Sequence, residues 1–311
     1  MPTNSFDTPI LFLLFNRPDH AGQVFERIKE IKPSKLYVAV DGPRINRPDD
    51  QIKIQDCLKI LDQINWPCEL STLIRKDNLG CGKAVSSAIS WFFEHVEMGI
   101  ILEDDCLPDI SFFNYCSEVL HKYEHDSSIM HVGGVNFQDG NRRGSGSYYF
   151  TKICHVWGWA TWRRAWNRYD FSMSSFPKFL EERAITQLFA NPEDQSYWLD
   201  AFNAVFNNQV DTWDYQWVYS VWTNNGLGVL PNYNLITNIG FDEAATHTKS
   251  KHLVCADQQT QTIREIVHPS FVLEDNEATQ YSLAKQFRIK KGWRKKVDRV
   301  RLRIQYRTWN I

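Results

Sequence analysis

Three acidic residues, Glu103, Asp104 and Asp105, stand in a row directly behind the apolar run Gly99-Ile-Ile-Leu102. Adjacent carboxylates repel, so such a triplet is costly unless a cation or strong donors sit between them. A divalent cation such as Mg²⁺ or Mn²⁺ suits it, taking a few carboxylate oxygens and filling its shell with phosphate and water. The plainer alternative is a polar strand end whose acids cap the next helix. Two further apolar runs also end in polar groups: Asn16-Arg17 follows residues 9–15, and Asp41-Gly42 follows residues 36–40. Downstream, Asn78-Leu-Gly80-Cys-Gly82-Lys83 precedes a helical stretch. Backbone N–H groups at such a turn can hold phosphate, with Lys83 adding charge; a simple helix-start turn is the alternative. It is not a Walker A loop, because Asp77 replaces the first Gly and Ala84 the Ser or Thr.

The elements that would carry these groups read as alternating strands and helices. Apolar runs at 9–15 and 36–40 have the length and composition of buried parallel strands, and 70–74, 99–102 and 129–135 read as three further strands. Between them, helical periodicity predicts helices after Asp19, around 51–64, over 82–95, and from about 111 to 123 behind Asp109 as a cap. That order predicts an α/β fold, a mostly parallel sheet with helices on both faces. Ligands of such sheets bind outside the carboxyl ends of the strands, where Arg17, Asp41 and the triplet all fall. Helices are also expected near 176–189, 194–206 and 215–224, in a lobe rich in Trp, Tyr, Asn and Phe.

The segment Ile100-Ile-Leu-Glu-Asp-Asp-Cys-Leu-Pro-Asp-Ile-Ser-Phe-Phe113 resembles the variant DxD region of GT-A (Rossmann-like) glycosyltransferases. It resembles in particular the inverting N-acetylglucosaminyltransferase type, in which an E-D-D triplet ends a strand and P-D-F-F follows. The resemblance covers roughly residues 9–135. It implies that Asp105 binds a metal bridging two phosphates, and that Glu103 and Asp104 contact ribose or metal-bound water. It implies further that Asp41 accepts the uracil N3–H, that Arg17 lies against the nucleotide, and that Lys83 adds a phosphate or uracil contact. In the second lobe, Trp157-Gly-Trp159 resembles a glycine-tryptophan turn before the acceptor site, and the resemblance implies that Trp157, Trp159 and Trp213 contact the acceptor. Trp213-Asp214-Tyr-Gln-Trp217 resembles a W-D-x-x-W segment whose Asp is the catalytic base; a helix cap is the alternative for Asp214. His247 is a candidate to complete the metal shell, as in retaining relatives, or else a surface histidine. The expected activity is transfer of a sugar from a nucleotide-diphosphate donor, a UDP-sugar above all, to a glycan or lipid-linked acceptor, with Mn²⁺ or Mg²⁺. The alternatives are a nucleotidyltransferase that makes a nucleotide-sugar, and a non-catalytic carbohydrate-binding protein. The first normally carries a glycine-rich loop after the first strand, which Asn16-Arg17-Pro18-Asp19 is not.

Composition limits the partners. Of 311 residues, 43% are hydrophobic and 23% charged, enough for a sizeable core in an ordinary soluble enzyme. Twelve Trp are present, many between 157 and 222. They read either as a core or as a surface on which pyranose rings lie. Residues 285–311 hold eleven bases and one acid, leaving 24 bases against 36 acids before them. An acidic body with a basic tail argues against a nucleic-acid binder. The tail draws an apolar stripe through Ile289, Trp293, Val297, Val300 and Ile304. It is expected either to touch an anionic membrane face or to dock on the acidic body. Seven Cys without a CxxC pair, and an N-terminus without a basic apolar leader, point to a cytoplasmic protein with reduced thiols. The expected division is a nucleotide-sugar half (1–135), an acceptor half (136–284) and the tail (285–311).

Overall fold

The computed structural model describes residues 6–240 and 258–288. In chain order, β1 (Ile10–Leu14), α1 (Pro18–Ile31), β2 (Lys35–Val40), α2 (Asp49–Lys59), β3 (Glu69–Ile74), α3 (Gly80–His95) and β4 (Met98–Glu103) form the first alternating run. There follow β5 (Cys106–Pro108), α4 (Ile110–Lys122), β6 (Ile129–Gly133), β7 (Tyr148–Thr151) and β8 (Trp159–Trp162). The helical stretch comprises α5 (Arg163–Trp166), α6 (Phe176–Glu181), α7 (Ile185–Leu188), α8 (Pro192–Phe206) and α9 (Asp214–Thr223). The described chain closes with β9 (Leu227–Pro231), β10 (Ile236–Asn238) and α10 (Asn276–Ser282).

Eight strands form one sheet in the order β3-β2-β1-β4-β8-β6-β9-β7. The pairs among β1 to β4 and between β6 and β9 are parallel, while β8 and β7 run against their neighbours. The expected mostly parallel sheet with helices on both faces is therefore present. Alternation builds it: Ile10, Phe12, Leu14, Val38 and Leu102 enter the core beneath α1, α2 and α4. Leu11, Leu13, Tyr37 and Ile101 enter the core on the opposite face, with α3 and the Trp-rich helices. A strand buried on both faces must be apolar at every position, which is why these runs show no polar alternation.

Two expectations change. Residues 176–189 form α6 and α7 and not one helix; Arg183, between them, adopts a positive φ of 50° that an α-helix does not accommodate. The sheet also crosses the expected division at residue 135, since β8 inserts between β4 and β6. Short antiparallel strands such as Trp159–Trp162 lack the long apolar runs of the others, and sequence patterning missed β7, β8 and β9.

The tryptophans between 159 and 222 are core. Trp159 and Trp217 are wholly buried, and Trp162, Trp166, Trp198, Trp213 and Trp222 nearly so. No sugar ring can lie on them, so the reading of this cluster as a carbohydrate surface is corrected. Its centre holds a buried imidazole. His131 stacks on Trp159 at 5.2 Å, its Nδ1 accepts from Trp217 Nε1 at 3.2 Å, and its Nε2 lies 3.0 Å from the His155 carbonyl. That pattern uses the neutral ring fully, with Nε2–H donating. A second proton on Nδ1 would face an N–H donor. Burial pushes the His131 pKa down to about 3. Since the unfolded chain titrates near 6.5, the stability contribution is complete above pH 6.5 and is lost as pH falls toward 3. Between pH 7 and pH 5 the loss is expected to be about 2 kcal/mol from this ring alone. Urea unfolding across that range should show it, and His131→Gln, though less stable at pH 7, should show a flatter profile. Parallel profiles for the two proteins would contradict this role for His131.

Candidate active site

Register places the polar strand ends on one rim. Leu14 pairs with Val40 and Leu13 with Glu103, so the residues following β1, β2 and β4 emerge side by side. They line a cleft enclosing about 900 Å³ with its open mouth, whose walls include Arg17, Asp41, Arg44, Glu103, Asp104 and Asp105.

The triplet crowds three carboxyl groups around one cation. Arg17, in the capping position of α1, donates from Nη1 to Asp105 Oδ2 at 2.8 Å and lies 3.9 Å from Asp104 Oδ1. Burial pulls the Arg17 pKa down, but Asp104 and Asp105 outweigh it, and the guanidinium is held charged above its ordinary value. One guanidinium does not balance three carboxylates. Burial first, then the charges of Asp105, Asp104 and Asp214, push Glu103 well above the carboxylate range. Burial raises Asp104 to about 6 in spite of Arg17. The backbone closes over this group from a distant segment: β10 pairs with β5, and Ile239 N donates to the Asp105 carbonyl at 2.8 Å. Gly240 lies so close that a Cβ there would stand 2.3 Å from Asp105 Oδ2.

The opposite wall is set by two acids. Asp41 accepts from Leu79 N at 3.1 Å and from Asn78 Nδ2 at 2.9 Å, tying the end of β2 to the turn before α3. Burial raises its pKa. Asp50, fully buried, takes a bidentate pair from Arg44 at 2.7 and 2.8 Å and a bond from Asn16 Nδ2 at 2.7 Å. The Arg44 guanidinium thereby lies 5.3 Å over the Phe15 ring, a rigid planar cation in the cleft wall.

Asp214 opens α9, with Trp213 and not Asp214 in the capping position. Its Oδ1 accepts from Thr212 Oγ1 at 2.5 Å and from Tyr215 N at 2.9 Å. Burial raises its pKa. Its charge acts on Glu103 and on Cys81, and Cys81 lines the cleft.

Other expected site residues lie elsewhere. Lys83 is exposed on α3 and is not part of the cleft wall. The phosphate cradle at Gly80-Cys81-Gly82 is corrected: Gly82 N already donates to Asp211 at 2.9 Å, so a carboxylate occupies the place expected for phosphate. Trp159 and Trp213 stack on each other in the core at 5.5 Å and are corrected as acceptor contacts. Trp157 is half-buried, edge-on to Phe137. His247 lies outside the described residues, as do Cys255 and the tail beyond Arg288. Arg44, Asp50 and Asp211 were missed: Asp50 reads in sequence as one of two helix-start acids, and nothing there marks it as the buried one.

Among the described residues, no group of three or more His, Cys, Asp or Glu side chains forms a ready metal cage. The six described cysteines, Cys57, Cys68, Cys81, Cys106, Cys116 and Cys154, are free thiols. No helix among the described residues is long and apolar enough to cross a membrane.

No known protein family matches the chain, and no curated protein does. Solved structures are similar to it over about half its length. HddC from Yersinia pseudotuberculosis is 11% identical, covering 50% of this chain and 77% of that one, at a TM-score of 0.30. A UDP-glucose pyrophosphorylase complexed with UDP-glucose is 10% identical (52% and 78% covered, TM-score 0.31). The inositol-1-phosphate CTP transferase from T. maritima is 9% identical (53% and 74%, TM-score 0.32). Likeness at these scores carries no argument about activity.

Proposed function

We propose that this chain is a glycosyltransferase that moves a sugar from a nucleotide-diphosphate donor, with UDP-sugars first, to a hydroxyl of a glycan or lipid-linked acceptor. The observation that carries this reading is the acid triplet at the strand-end cleft, three crowded carboxyl groups with Arg17 beside them, whose burial and mutual repulsion push the Glu103 pKa up. A divalent cation fits there in spite of the missing three-ligand cage, because Mg²⁺ or Mn²⁺ is commonly held by one or two carboxylates together with substrate phosphates. Asp105 is the residue to hold it, with Asp104 next to it. The ion would supply charge to stabilise the departing diphosphate. Arg44 and Phe15 offer a flat wall for the nucleoside, and Asp41 a carboxylate at its edge. Asp214 takes the proton of the acceptor hydroxyl. Its raised pKa makes it a better base than an exposed carboxylate, and attack from the face opposite the diphosphate inverts the sugar carbon.

A second reading is nucleotidyl transfer, the activity in the printed names of two of the similar structures. Those names agree with it and not with the first reading. The loop after β1, Asn16-Arg17-Pro18-Asp19, has no glycine to wrap a triphosphate, and its arginine is paired to Asp105. A paired assay separates the two. UDP release from UDP-sugars with Mn²⁺ and mixed acceptors is expected. Pyrophosphate release from UTP and a sugar 1-phosphate, without the first activity, would replace this reading with the second.

A further inference from the structure

The turn that opens α3 holds two glycines whose purpose is visible only in three dimensions. Asp211, 129 residues away in sequence, enters this turn and accepts from Gly82 N at 2.9 Å through Oδ1. A Cβ on Gly80 would stand 2.5 Å from Asp211 Oδ2, and one on Gly82 would stand 2.6 Å from Oδ1 and 2.8 Å from the Thr212 carbonyl. Glycine at both positions is what admits the carboxylate. Gly80 also takes a positive φ of 77°, which L side chains rarely adopt.

The same turn is gripped from the other side by Asp41, through Leu79 N and Asn78. One helix start is thus held between an acid from the donor cleft and an acid from the segment leading into α9. A carboxylate at a helix N-terminus gains from the aligned N–H groups and the local positive potential. Beyond Asp211 the chain stays anchored. The Thr212 carbonyl accepts from Gln216 Nε2 at 2.8 Å, and the Trp213 carbonyl from Tyr169 at 3.1 Å. Thr212 Oγ1 then donates to Asp214 Oδ1 at 2.5 Å. The path from the donor wall to Asp214 runs through three consecutive residues with no slack.

We infer that Asp211 is a positioning residue: it clamps the 211–214 segment to the first turn of α3 and so fixes where the Asp214 carboxylate stands relative to the donor. This rests on the glycosyltransferase reading for its catalytic consequence, though not for the clamp itself. The clamp needs an acceptor oxygen at position 211, not a negative charge, so Asn serves and Ala does not.

The test compares Asp211→Asn with Asp211→Ala in the full chain. Asp211→Ala is expected to lower kcat by about 10-fold or more through misplacement of the base, with UDP affinity unchanged. Asp211→Asn is expected to stay within about 5-fold of the parent, since it keeps the hydrogen bond. The atoms nearest a Cβ on Gly80 all belong to Asp211, so Gly80→Ala/Asp211→Ala should be no slower than the slower single variant. Amide exchange over residues 212–216, read without substrate, should quicken in Asp211→Ala and not in Asp211→Asn. Parent-like kcat with unchanged exchange in Asp211→Ala overturns the clamp. Equal loss in both variants overturns it too, making the charge and not the bond essential. An inactive parent protein overturns the transferase reading, while the exchange comparison still decides the clamp.

Discussion

Replacing Asp105 by Ala is expected to abolish sugar transfer, a fall of about 10³-fold or more, while the fold survives. Two opposing changes keep the stability cost small. The substitution removes the second-largest cause of the upward pressure on Glu103, after burial, and so relieves repulsion. It also deprives Arg17 of its 2.8 Å partner, but Asp104 remains 3.9 Å from the same nitrogen. For a partly exposed pair the difference is expected to lie within about 1 kcal/mol. The checks are turnover with Mn²⁺ and with EDTA, alongside a urea midpoint. Activity in EDTA equal to that of the parent would remove both the metal and Asp105 from the account.

Asp214→Asn should lower kcat by about 10²-fold or more with UDP affinity preserved. Asn keeps the size of the side chain and can still accept from Thr212 and Tyr215, but it cannot take a proton. The pH profile makes the assignment sharper. A general base works when deprotonated, so activity falls as pH drops through its pKa. Burial raises that of Asp214, and the acidic limb of kcat/KM should therefore lie above the ordinary aspartate value of 3.8. The Asn variant should lose the part of that limb that belongs to Asp214, while the part that belongs to Glu103 and Asp104 stays. If affinity for UDP collapsed while kcat held, Asp214 would be a donor-binding residue and another base would have to be sought.

Much of the first half was legible because parallel strands buried on both faces are written as uninterrupted apolar runs. The run at 9–15 became β1, the run at 99–102 became β4, and the polar residues behind them fell on one rim as the fold class requires. The second half was less legible for a physical reason. Its strands are short, and in four-residue β8 the tryptophans pack with those of neighbouring helices, so neither a period of two nor a period of 3.6 stands out. The tryptophan cluster stayed open to two readings because an aromatic cluster has the same composition in a core as on a sugar-binding surface; Trp159 and Trp213 were expected at an acceptor through the resemblance of their segments alone. The Gly80–Gly82 turn opens α3, one of the two readings its glycines allowed, but glycine signals close approach without saying what approaches. Here it is Asp211, a contact that no local pattern encodes.

The most direct test of the cleft is calorimetric titration with UDP and with UMP, each in Mn²⁺ and in EDTA. If the triplet holds a cation that bridges to a diphosphate, UDP binds tightly only with Mn²⁺, and UMP, lacking the second phosphate, gains little from the metal. UDP binding of equal strength in EDTA, or none under either condition, would contradict the account at its centre.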